Sequence, residues 1–359
     1  MRVHHLTAIL LVLLVPIFAR VPPAAAQYVQ HNLLSDQAGQ ADLVDPHLVN
    51  AWGLSRSATS PWWISDAGTG NSTLYNVGTA TIPMVIAIPG ANGQQGAPTG
   101  QVRNGGTGFV VTNTTGTSPA RFIFAGEDGT ISAFRGNPVV IVIDNSASGA
   151  VYKGLAIDSI TDGKFLYATD FHNGRVDVFD SNWAPVHKAG AFIDPKLQNG
   201  FAPFGIQAIK IGDETQIFVT YAKQDEDAHD DVAGQSLGFV SRFDTDGNFL
   251  GRVATRGQLN SPWGIALAPD NFGKFSGHLL VGNFGNGRIL AYQMLENGHF
   301  EFIDFLMGTD LQPIVIDGLW AIAFGGGAPA NGPTNTLFFA AGPDEESHGL
   351  FGSLMWSGD

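Results

Sequence analysis

The 359-residue chain contains no cysteine, which excludes a disulfide framework, a thiolate metal site and a cysteine nucleophile. Its stability has to come from packing alone. Basic residues are scarce, with 18 Lys and Arg against 32 Asp and Glu, and the formal net charge is −14. That sign disfavours a phosphate backbone, so no nucleic-acid partner is expected. Long apolar runs are lacking as well. The one from Leu6 to Phe18 is shorter than the roughly 20 residues that a membrane helix needs, and no later stretch is long enough.

That run has a different reading. Arg2, His4 and His5 precede it and Ala24, Ala25 and Ala26 follow it, which are the three parts of a secretory leader. The pattern predicts a signal peptide over residues 1–26, cleavage after Ala26, and a secreted or periplasmic protein with no membrane insertion afterwards. The remaining residues 27–359 are long enough for a large core. Glycine is abundant, with 46 residues, and short Val/Ile/Phe runs alternate with turn residues, which points to all-β structure.

A small residue followed by apolar ones recurs as Trp52-Gly53-Leu54, Gly108-Phe109-Val110, Lys153-Gly154-Leu155, Phe204-Gly205-Ile206, Trp263-Gly264-Ile265 and Trp320-Ala321-Ile322. Subtracting successive Gly/Ala positions gives spacings of 55, 46, 51, 59 and 57 residues, the size of a four-stranded propeller blade. The Gly108 member fits least well. The fifth repeat reads as a whole blade, with strands Gly264 to Ala268, His278 to Val281, Arg288 to Tyr292 and Phe300 to Phe305. The sixth lacks a strand after Leu350 to Met355, while Tyr28 to Leu34 has no blade of its own. An open edge is a liability, so these two segments are predicted to pair. The expectation is one six-bladed β-propeller domain, monomeric and closed by its N-terminal strand. The Gly/Gln/Pro-rich stretch from Pro89 to Gly106 reads as a loop into blade 2.

The run Tyr167-Ala168-Thr169-Asp170-Phe171-His172-Asn173-Gly174-Arg175-Val176-Asp177-Val178-Phe179-Asp180 resembles an NHL-type repeat, and Gly282-Asn283-Phe284-Gly285-Asn286-Gly287-Arg288 is its fifth-repeat counterpart. With Asn50-Ala51-Trp52-Gly53-Leu54, Gly126-Glu127-Asp128-Gly129-Thr130-Ile131 and Gly342-Pro343-Asp344-Glu345-Glu346-Ser347-His348-Gly349, the chain resembles a family of exported bacterial six-bladed propellers. That family is related to the NHL, TolB-like and calcium-dependent phosphotriesterase-like groups. The resemblance implies the fold and no particular reaction.

Loops between second and third strands share one face of a propeller with the segments leading into the inner strands. The first set holds Glu127, Asp170, His172, Asp225, His229, Asp344 and His348. His172, His229 and His348 with a nearby carboxylate (Glu127, Asp170, Asp225 or Asp344) form a candidate zinc site. The acidic run Asp225-Glu226-Asp227-Ala228-His229-Asp230-Asp231 is a candidate for calcium, which takes oxygen ligands in irregular geometry. Either set is equally readable as a solvated rim. The second set adds Asn50, Lys153, Trp263 and Asp317 as candidate ligand-binding groups. Gly234-Gln235-Ser236-Leu237-Gly238 spells a nucleophile elbow but lacks the strand-then-helix context. The pattern supports a propeller that binds a small molecule, glycan or protein, with or without a divalent ion, through this face. The alternative is a metal-dependent hydrolase or lyase there, of lactonase/phosphotriesterase or amidating-lyase type.

Overall fold

The recurring glycine has a steric cause. A Cβ on Gly53 would stand 2.3 Å from the Thr99 carbonyl oxygen, one on Gly154 2.8 Å from that of Phe204, one on Gly205 2.1 Å from that of Trp263, and one on Gly264 2.5 Å from that of Trp320. In these four blades the innermost strand thus presses its backbone onto that of the next, where only hydrogen fits, and blade 6 carries the small Ala321 at the equivalent position. Thr99 and Thr169 bind adjacent blades further, donating to the carbonyls of Tyr152 at 2.7 Å and Phe204 at 2.6 Å.

A computed structural model describes Met1 and residues 27–158 and 164–358. Apart from Met1, the leader expected over residues 1–26 lies outside the described residues. Among the described residues no helix is long and apolar enough to cross a membrane.

Six antiparallel sheets stand in a ring, as the repeat predicts. Their inner strands are Ala51–Ser55, Pro98–Arg103, Tyr152–Ile157, Phe201–Ile211, Pro262–Leu267 and Leu319–Phe324. Blade 5 follows the expected strands to within a residue or two, as Pro262–Leu267, Leu279–Asn283, Ile289–Met294 and Phe300–Phe305. Closure is also as expected. Tyr28–Ser35 pairs antiparallel with Leu350–Trp356, and a short strand, Leu43–Val44, adds a parallel fifth member that the sequence did not suggest. Tyr28 anchors the closing strand, with its ring buried between Phe272 and Trp356 and its hydroxyl donating to the Phe272 carbonyl at 2.8 Å.

Blade 2 departs from the expectation. Its inner strand is Pro98–Arg103, inside the stretch read as a loop, whereas Val110–Asn113 and Gly116–Pro119 form a separate hairpin. Gly100 takes the axial position, its would-be Cβ lying 2.3 Å from the Leu155 nitrogen. Phe109 instead packs on Trp183, with ring centres 4.9 Å apart. Blade 3 has three strands, Tyr152–Ile157, Phe165–Asp170 and Arg175–Asp180. A single bridge from Phe179 to Pro185 stands where an outer strand would run.

Aromatic side chains fill the axis at the start of the inner strands. Trp320 stacks on Trp52 with centroids 3.6 Å apart and on Phe284 at 3.8 Å, while Trp263 meets it edge-on at 6.0 Å. Trp263 crosses from blade 5 to donate its Nε1–H to the Lys153 carbonyl of blade 3 at 3.1 Å. The three tryptophan rings are buried and Phe284 is partly so, and together they pack across the axis between its two mouths.

Candidate functional site

Above the aromatic floor, blades 1, 2, 3, 4 and 6 send polar side chains toward one point. Lys153, at the second residue of the blade 3 inner strand, is 2% exposed. An ammonium so placed requires partners, and two are present. Its Nζ donates to Glu127 Oε1 of blade 2 and, at 2.9 Å, to Asp230 Oδ1 of blade 4. It also lies over the Trp52 ring, 5.4 Å from the centroid, and 6.0 Å from that of Phe171. Burial pulls the Lys153 ammonium toward neutrality, but Glu127 and Asp230 outweigh it, so its pKa is raised and the charge is held. Asp230 is pushed up by partial burial, but Lys153 and His229 prevail and it stays below the usual carboxylate range.

Blades 1 and 6 supply the opposite wall. Asn50 takes a left-handed conformation, φ 50°, which asparagine tolerates. Its Oδ1 accepts from Trp320 Nε1 at 2.9 Å and its Nδ2 donates to Glu346 Oε2 at 2.5 Å. Glu346 is delivered by a turn in which Asp344, Glu345 and Glu346 all have positive φ, 56°, 53° and 65°. Three successive non-glycine residues in that region store roughly 1–2 kcal/mol each, and such strain clusters at functional sites. Burial first, and then the negative charge of Glu127, push the Glu346 carboxyl up to about 7 against the opposing pull of Lys153 and Asn50. Asp231 is pushed up to about 6 by burial, and its Oδ2 is buried without a hydrogen-bond partner. Four carboxyl groups therefore surround one ammonium, and Glu346 is partly protonated near neutrality while Asp231 takes up its proton about one pH unit lower.

Among the described residues, Glu127, His229 and Asp230 form the one group of three whose potential ligand atoms all lie within 4.8 Å of one another. His229 Nδ1 stands 3.0 Å from Asp230 Oδ1. This brings together Asn50, Glu127, Lys153, His229 and Trp263 of the residues singled out in sequence. The three-histidine arrangement does not form. His348 Nδ1 is hydrogen-bonded to Asp36 Oδ2 at 2.7 Å, and the same carboxylate accepts from Gly349 N at 2.9 Å, so His348 fastens its own loop. His172 is exposed beside Gly149.

The other acids also have local roles. Asp170, fully buried, accepts from Val151 N and Asn173 N, both at 3.2 Å, and from Asn173 Nδ2 at 2.8 Å, and burial raises its pKa. Asp225 Oδ1 accepts from His229 N at 2.9 Å and shapes that turn. Asp317 accepts from Asp344 N at 2.9 Å, and both are exposed. Asp230 and Asp231 belong to the acidic run read as a candidate calcium site, whereas Glu346 and Phe284 were not singled out from sequence, although Glu346 stands in a loop that was.

No family model matches the chain. The mimivirus protein R648, from Acanthamoeba polyphaga mimivirus and described as uncharacterised, is 32% identical over 90% of this chain and 78% of its own length. A second protein of that virus, L690, also described as uncharacterised, is 31% identical over 92% of this chain and 87% of its own. The chain belongs to the family of these proteins. These family members are viral, where the sequence had suggested an exported bacterial group. Among solved structures, virginiamycin B lyase from Staphylococcus aureus superposes with a TM-score of 0.50 at 13% identity, covering 92% of this chain and 99% of that one. At that identity the likeness shows the propeller fold alone.

Proposed function

We propose that this family member is a ligand-binding propeller whose working face is the acidic mouth, and that it engages its ligand through a divalent ion on Glu127, His229 and Asp230. The observation that carries this reading is the convergence of those three potential ligand atoms beside an Asp231 oxygen with no partner. Two carboxylates and an imidazole suit zinc, and with further oxygens calcium. Ligand atoms around zinc, with bonds of about 2.1 Å, stand roughly 3–3.5 Å apart, close to the His229–Asp230 spacing. Lys153 competes for the same oxygens, so the ion has to displace part of its pairing. The excess negative charge favours it. The same reading makes the protein an exported monomer that binds a small molecule, glycan or protein and no nucleic acid. The leader-like N-terminus supports export and the acidic balance the lack of a nucleic-acid partner.

A second reading, a metal-dependent hydrolase or lyase, draws on Glu346. A carboxyl with a pKa of about 7, hydrogen-bonded to Asn50 over an aromatic floor, is poised to give and take a proton. An ion bound beside it would supply Lewis acidity. Zinc and calcium titrations followed by melting temperature test the first reading. A stoichiometric ion should raise the melting temperature, and Asp230→Asn or His229→Ala should remove the rise. An unchanged melting temperature with both ions at millimolar concentration would end it. Turnover of lactone or ester panels, lost in Glu346→Gln while ion binding survives, would favour the second.

A further inference from the structure

The opposite mouth has another chemistry. Beyond the aromatic floor the far ends of the inner strands enclose a cavity of about 490 Å³, within the range of small-molecule sites. Its shaft is aliphatic, including Leu155 and Ile265, and Arg56, Arg103 and Lys210 stand in its lining, which among the described residues holds no Asp or Glu. In a chain with a net charge of −14 that is a local inversion of sign. Among the described residues none of these three cations is in an ion pair.

The two guanidiniums are held in place by neutral groups. Arg56 donates Nε and Nη2 to the Phe324 carbonyl at 3.1 and 2.9 Å and lies over the Trp62 ring at 5.5 Å. Arg103 donates Nη1 to the Arg121 carbonyl at 3.1 Å and lies over Phe122 at 5.7 Å. Burial weakens the hold of both on their protons, with a further push on Arg103 from Arg121. Partly desolvated cations without an anion are costly, and an incoming anion would relieve that cost.

We infer that this cavity binds an amphipathic carboxylate, its apolar tail in the aliphatic shaft and its head among Arg56, Arg103 and Lys210. The apolar wall supplies the driving force and guanidinium the charge-assisted hydrogen bonds. This cavity shares no lining residue with Glu127, His229 and Asp230, so the site stands independently of the ion-binding reading.

Calorimetric titration with sodium decanoate below its micellar concentration tests it. One-to-one binding is expected, at least tenfold weaker in Arg103→Gln and in Lys210→Gln. Decanol should bind at least tenfold more weakly than decanoate and decyltrimethylammonium not at all. Gln207→Trp, an exposed position in the cavity lining, should block the shaft while leaving the melting temperature in place. Asp230→Asn at the other mouth should change nothing. No decanoate binding, equal binding of decanol, or binding indifferent to the cation variants and to Gln207→Trp would overturn the inference.

Discussion

Replacing Glu346 by glutamine tests the charge balance of the acidic mouth with little change in shape, because the amide oxygen can still accept from Asn50. The Glu346 carboxyl has its pKa raised from 4.5 to about 7 in the folded protein. Below the unfolded value both states carry the proton and its stabilising effect is complete. As the pH rises the unfolded state ionises first, and the effect is lost by the time the pH has passed the folded value. The difference corresponds to about 3 kcal/mol. For a chain of this size that is roughly 6 °C in melting temperature, taking about 2 °C per kcal/mol. Wild type should therefore lose stability between about pH 4.5 and 7, with a further loss between about pH 4 and 6 from Asp231. Glu346→Gln should match wild type near pH 4 and melt several degrees higher near pH 8, as read by calorimetry across that range. Parallel curves for the two proteins would refute the argument, since Glu346 would then be titrating as an ordinary surface carboxylate.

Lys153→Met removes the buried cation and leaves Glu127 and Asp230 facing each other. A loss of about 3 kcal/mol at neutral pH is expected, the lower end of the range for breaking a buried pair because Asp230 is 63% exposed. The loss should shrink near pH 5 in denaturant melts, and calorimetry should show tighter divalent-ion binding in the variant. Gly205→Ala puts a methyl 2.1 Å from the Trp263 carbonyl oxygen. A loss of more than about 3 kcal/mol is expected from that backbone clash, whereas Gly174→Ala, with open space at its Cβ, should cost only the strain of its positive φ. Tyr28→Ala should cost about 3–5 kcal/mol in equilibrium unfolding by releasing the closing strand.

The ring was legible because the requirement behind it is steric and repeats. Backbone contact between neighbouring inner strands admits glycine or alanine, and that constraint marks the sequence at each blade. It failed at blade 2, where Pro98–Arg103 carries Val102 as its one large apolar residue. There Gly108-Phe109-Val110 imitates the pattern in a hairpin that packs outside on Trp183. Strand composition there reflects burial by neighbours rather than intrinsic preference.

The site was legible where a polar residue occupies a position that the repeat makes axial. Lys153 stands beside the inner-strand Gly154 and Asn50 immediately precedes the inner strand Ala51–Ser55, so their convergence follows from the ring itself. The loop acids were not ranked correctly, because their direction depends on backbone conformation that composition does not encode. Three left-handed residues turn Glu346 inward and leave Asp344 in solvent. His348 was misread because its partner, Asp36, lies 312 residues away, on the segment that follows the closing strand. The carboxylate after the second strand, Asp170 in blade 3, looked like a ligand yet serves its own turn. Its geometry satisfies backbone N–H groups that would otherwise be stranded.

Carbon-13 NMR of the side-chain carboxyl of Glu346, assigned by its absence in Glu346→Gln and titrated with and without zinc, tests the central claim most directly. The account predicts a midpoint near 7 without the ion and a clear fall when zinc is added, because a divalent charge on Glu127, His229 and Asp230 favours the ionised carboxylate. A midpoint near 4.5 that zinc leaves unmoved would contradict it.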